Sequence, residues 1–189
     1  MSNIAVIYDA CILYSAPLRD LFMRLALTDL YRAKWSEDIH QEWIRNLLKN
    51  RPDLTREQLE KIKQKMDTHV RDCLVVGYNN LIEKVKLPDP NDRHVLAAAI
   101  QVKAQIIVTF NLSDFPLSIT KKYKIEAQHP DKFLKYCLDI APSIVLQTVK
   151  ETRLSLKNPP KSISEYLKIL EKQSLNQTVL FLRDYSDYL

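Results

Sequence analysis

The chain has 189 residues, 46% of them apolar and 27% charged, which suits a globular fold of one domain or a domain with an appended subdomain. No run approaches the ~18–20 uninterrupted apolar residues of a membrane-spanning helix. The opening MSNIAVIYDA has neither a basic leader nor a small-residue cleavage site, so export is not expected, and the lone Gly77 excludes a glycine-rich phosphate loop. The cysteines (Cys11, Cys73, Cys137) are scattered and odd in number, which argues against disulfides and zinc and for a reducing cytoplasm. A net charge of +5 favours polyanionic partners.

Asn3 to Tyr8 is a short apolar run rich in branched residues, which predicts a buried parallel strand with Asp9 directly behind it. Ala10 and Cys11 begin no evident amphipathic helix. Pro17 suits the first turn of one that carries Leu18, Leu21, Phe22, Leu25 and Ala26 on a single face. Tyr31 to Trp35 reads as a second strand, and Ser36 as the N-cap of a helix to Lys49 with Glu37 and Asp38 in its first turn. Thr55 with Gln58 forms a capping-box pattern for a helix to Arg71. A brief strand at Cys73 to Val76 and a short helix near Asn80 to Val85 follow. LPDPNDRHVLAAAI places Pro90 at a first helical position ahead of an alanine-rich helix to Lys103. Gln105 to Phe110 is another buried strand and Lys124 to Gln128 a last one.

Beyond Pro130 the pattern is helical only: Asp131 to Ile140, Pro142 to Leu156, Ser162 to Lys172 and Ser174 to Tyr185, separated by Pro142, by NPPK and by a polar turn. The expected architecture is therefore α/β, with helices sandwiching a parallel sheet over residues 1–129 and an all-helical extension over residues 130–189.

Four acids stand where such a sheet could aim them at one point. Asp9 ends the first strand, Asp114 follows the strand ending at Phe110, Asp92 faces the packed side of its helix with Val95, Leu96 and Ala99, and Glu42 borders the stripe of Ile39, Trp43 and Leu47. Unpaired carboxylates at close range raise one another's pKa, and a hard divalent cation, magnesium or manganese, removes that cost. Asp89 reads first as a helix cap that can also support the site, and Thr109 and Asn111 as groups able to orient a ligand or water from behind. Arg45, Lys49, Arg51 and Arg93 are candidates for phosphate contacts. The four histidines lack metal-type spacing, and His94 reads as part of a solvated helix face.

The segments VIYDACIL, DIHQEWIRNLL, DPNDRHVLAAAI and IIVTFNLSDFP, in this order and context, resemble the PIN-domain nucleases, and among them the VapC-type toxins of toxin–antitoxin systems, over residues 1 to about 128. The resemblance implies a PIN-like three-layer α/β/α sandwich. By position Asp9, Glu42 and Asp92 match that family's metal-binding acids. The fourth acidic site falls in TFNLSD, where Asn111 stands at a place often acidic and Asp114 is the available carboxylate. It further implies a magnesium- or manganese-dependent endoribonuclease acting on RNA, a homodimer, and a cognate antitoxin protein. The helical extension resembles that of a longer subgroup. The alternative left open is a catalytically silent RNA- or protein-binding module.

Overall fold

Four consecutive apolar residues, Ala5–Tyr8, form strand β1 at the centre of the sheet in the computed structural model, which describes residues 4–189. Asn3, the expected start of this strand, lies outside the described residues. All of β1 is fully buried, as a parallel strand covered on both faces requires. With β2 (Arg32–Ser36), β3 (Leu74–Val75), β4 (Ile106–Val108) and β5 (Glu126–Gln128) it makes a five-stranded sheet in the order β3-β2-β1-β4-β5, parallel at every pairing. Tyr8 is paired with Val108 in the ladder, so the chain leaves β1 and β4 side by side. Strands to one side of β1 come next in sequence and those to the other side come last, which makes the β1/β4 crevice the switch point where open parallel sheets bind ligands.

The helices between strands are α1 (Ala10–Tyr14), α2 (Ala16–Ala26), α3 (Glu37–Asn50), α4 (Arg56–His69), α5 (Asn79–Ile82), α6 (Arg93–Gln101) and α7 (Leu117–Thr120). They complete a three-layer α/β/α sandwich. Two N-termini form as their sequence dictates. The Ser36 hydroxyl accepts from the Ile39 amide at 3.3 Å, and Thr55 and Gln58 close a reciprocal capping box. Around α6 the expected α-helix from Pro90 begins instead with a tight 3-10 turn, Pro90–Asp92, and becomes α-helical only at Arg93. Its Val95 to Ala99 are all fully buried, and the helix packs on β1, β2 and β4.

The C-terminal helices are α8 (Pro130–Ile140), α9 (Pro142–Ser155), α10 (Ile163–Lys172) and α11 (Asn176–Asp184). They share the main core. Phe133 of α8 meets Tyr31 edge-on at 4.9 Å and Phe22 at 6.1 Å, while Tyr8 packs edge-on to Phe22 at 5.3 Å and stacks on Trp35 at 5.9 Å. Tyr8 and Tyr31 hydroxyls are 2.7 Å apart, so this aromatic cluster leaves both polar tips satisfied. Within the extension, the Asp131 carboxylate accepts from the Gln177 and Thr178 amides, each at 2.8 Å. It thereby satisfies the free N–H groups at the start of α11. Among the described residues no helix is long and apolar enough to cross a membrane.

Candidate active site

The end of β1 sets the site. Asp9 is 2% exposed, and its Oδ1 accepts from the Ala10 amide at 2.6 Å while Oδ2 accepts from the Thr109 hydroxyl at 2.6 Å and the Cys11 thiol at 3.2 Å. Asp9 is thus also the N-cap of the short helix α1, a helix the sequence did not announce. One carboxylate can cap and still be aimed, because the cap uses one oxygen and the neighbouring strand holds the other. Burial raises the Asp9 pKa, the Thr109 and Cys11 hydrogen bonds oppose that rise, and the charge of Glu42 adds to it.

Thr109 is fully buried after β4 and ties the two strand ends together. It donates to Asp9 and accepts from the Asn111 amide at 2.9 Å. Cys11 joins this knot, since its sulfur accepts from the Phe110 amide at 3.4 Å. Its position two residues after Asp9 was visible in the sequence, but its contact with the β4 loop, some hundred positions away in the chain, was not.

Asp92 is the most telling acid. It is 7% exposed, and its Oδ2 is buried with no hydrogen-bond partner. Burial first, then the charges of Asp9, Asp114, Asp89 and Glu42 in that order, push its pKa up to about 7. All the candidate acids therefore act on one carboxyl, although they come from four separate segments. Asp114 is half-buried in the turn after β4. Asp89 accepts from the Asn91 amide at 2.8 Å, the capping role expected of it, while its charge still reaches Asp92.

Glu42 is not a solvated glutamate on a helix flank. Its Oε2 lies 3.1 Å from His94 Nε2, and the two side chains are 24% and 14% exposed. His94 accordingly belongs to the site rather than to a solvated helix face, a correction to the sequence reading. Helix α3, which carries Glu42, is held by a buried chain of hydrogen bonds. The Trp43 indole donates to His40 Nδ1 at 2.9 Å, and His40 Nε2 lies 2.9 Å from Asp67 Oδ1, which also accepts from the Trp35 indole at 2.8 Å. An indole only donates, so His40 must accept at Nδ1 and carry its proton on Nε2. Burial lowers the His40 pKa and keeps that neutral form.

The proposed cationic contacts are dispersed. Arg51 forms a two-point pair with Asp53 at 2.8 and 2.6 Å, Arg45 and Lys49 are exposed on α3, and Arg93 is half-buried with Nε unpartnered.

An ion fits this donor set on chemical grounds. A buried carboxylate oxygen without a partner, in the field of four other acids, is costly unless a proton or a cation meets it. The acids offer only hard oxygen donors, which suit magnesium or manganese. Among the described residues no three His, Cys, Asp or Glu side chains already converge as a ligand cage, so the acids share a field rather than a finished coordination shell.

Comparison with known proteins adds an independent line. A family model described as PIN domain matches residues 5–113, and one described as VapC50 C-terminal domain matches residues 130–184. A curated relative, "Putative ribonuclease VapC50" of Mycobacterium tuberculosis (strain ATCC 25618 / H37Rv), is 50% identical over 64 residues, 34% of this chain and 37% of that protein. The match thus spans little more than a third of that relative's own length. No solved structure matches.

Proposed function

The chain belongs to the PIN-domain family, and on that premise we propose that it is a divalent-metal-dependent endoribonuclease of the VapC type. The observation that carries this reading is Asp92, buried and unpartnered in the combined field of Asp9, Asp114, Asp89 and Glu42 at the sheet's switch point. The family and the name of the curated ribonuclease support it, as does the net charge of +5, which must lie outside the acidic cleft and favours a polyanion.

Asp9, Asp92 and Asp114 would hold magnesium or manganese, with Glu42 completing the acidic wall. When bound, such an ion supplies the acidity that activates water and the positive charge that offsets phosphate. The protein's own part is positional. Thr109, the Ala10 amide and the Cys11 thiol fix both oxygens of Asp9, and His94 fixes Glu42. Asp92 keeps one oxygen free for the cleft. Water adds to phosphorus as the bond to the 3′ oxygen breaks, leaving a 5′-phosphate and a 3′-hydroxyl, and no ribose 2′-hydroxyl takes part.

We further infer that the nuclease domain covers residues 1–129 and the helical extension residues 130–189, that the protein acts in the cytoplasm as a homodimer, and that a cognate antitoxin protein restrains it. The test is incubation of the full chain with single-stranded RNA and magnesium or manganese. Cleavage with 5′-phosphate ends, abolished by EDTA and restored by added metal, is the expected result. Intact RNA under all these conditions would instead favour a silent binding module.

A further inference from the structure

We propose that the turn closing α10 forms one wall of the RNA groove, so that the C-terminal extension itself binds unpaired nucleotides beside the scissile phosphate. This rests on the nuclease reading and deepens it.

A groove of about 1040 Å³ begins at Glu42 and Asn111, on the rim of the acidic site, and ends at Lys172, Gln173 and Ser174. Glu42, Asn46 and Asn50 line it from α3 and share one helix face at i, i+4 and i+8. The opposite end is held in place. Leu170 and Leu175 are fully buried on either side of the turn, which reverses through a left-handed Ser174 at φ 60°. Gln173 accepts a hydrogen bond from the Ser15 hydroxyl, between α1 and α2. The extension therefore presents this turn to the groove from a rigid base.

The lining chemistry selects the ligand. Asn46 and Asn111 offer donors and acceptors together, which suits the edges of unpaired bases. Asn50, whose amide nitrogen donates to the Tyr14 hydroxyl, adds its carbonyl, and Gln58 and Gln173, whose carbonyls accept from the Thr55 amide and the Ser15 hydroxyl, add their NH₂ groups. The half-buried ring of Tyr14 adds an aromatic surface on which a base can stack. Of the cations lining the groove, Arg51 is neutralised by Asp53, and Arg19 lies over the Trp43 ring at 5.3 Å while donating to the Leu13 carbonyl. Lys172 alone is exposed without an ion pair among the described residues, free to meet a backbone phosphate. Continuity with the acidic centre makes the occupant the flanking part of the same RNA strand rather than a separate protein.

The experiment uses the full chain made inert by Asp92→Asn and a fluorescein-labelled single-stranded RNA, with anisotropy at low salt. Lys172→Glu is expected to weaken binding about five- to tenfold, as loss and reversal of a phosphate contact should. Lys168→Glu makes the same charge change on the same helix but outside this groove, and is expected to change binding less than about twofold. RNA carrying 4-thiouridine should crosslink to the peptide that contains residues 172–174. Melting curves of each variant report folding. If the Asp92→Asn parent binds RNA but Lys172→Glu and Lys168→Glu behave alike, or crosslinks avoid the turn, the groove assignment is wrong and the nuclease reading stands. If the parent binds no RNA and the wild type cuts none, both fail.

Discussion

Replacing Asp92 with asparagine is expected to reduce RNA cleavage by at least about a thousandfold, since under the proposed function it removes a ligand to a catalytic cation and forfeits several kcal/mol of transition-state stabilisation. The same change should leave the metal-free protein folded and, above pH 7, somewhat more stable. The buried carboxylate has no partner and is opposed by Asp9, Asp114, Asp89 and Glu42, so an amide of the same shape relieves repulsion and loses no hydrogen bond at Oδ2. Asp9→Asn should abolish cleavage equally but lower stability. An amide NH₂ would face the Thr109 hydroxyl or the Cys11 thiol, both of which now donate to Asp9. Cleavage assays beside thermal melts at pH 8 separate the two outcomes. Retained activity in Asp92→Asn would remove that residue from the reaction.

Phe133→Ala is expected to destabilise the whole chain by ~3–5 kcal/mol, the usual cost of truncating a fully buried aromatic side chain. Phe133 enters the cluster of Phe22 and Tyr31, which in turn touches Tyr8 of the central strand. The extension is therefore built into the core that supports Asp9, and a single shared unfolding transition should move to lower urea. Urea titration followed by circular dichroism tests this. A loss below about 1 kcal/mol, or an early transition that leaves the sheet intact, would show that the helices after residue 129 are an independent unit.

The elements most legible in the sequence were those set by local chemistry. Ser36 and the Thr55–Gln58 pair mark their helix starts because a cap is decided within a few residues. The apolar runs around Val6 and Ile107 could hardly be anything but buried strands. Asp92 was expected to be buried because of the face it shares with Val95 and Ala99, and it is, although a 3-10 turn rather than a helix delivers it. What escaped were contacts between distant segments. His94 was read as solvated because its partner Glu42 lies on another helix, and the contact of Cys11 with the Phe110 amide was not visible because that amide arrives with a different strand. Helix α1 was missed since five residues carry no readable amphipathic period. No local pattern hinted that Lys172 would border the same groove as Glu42. Only the packing of α10 against α2 brings them there.

The pH dependence follows from Asp92. Its carboxyl ordinarily ionises near 3.8 but is held up to about 7 in the folded chain. Between those values the folded state binds the extra proton, so metal-free stability falls as pH rises across that window and levels off above it. A cation that replaces the proton must bind more tightly above pH 7 than below it. Calorimetric titration of manganese into the wild type and Asp92→Asn, at pH 6 and pH 8, tests this most directly. Saturable binding at pH 8, weaker at pH 6 and lost in Asp92→Asn, is the result predicted. No saturable binding by the wild type at pH 8, or undiminished binding by Asp92→Asn, would contradict it.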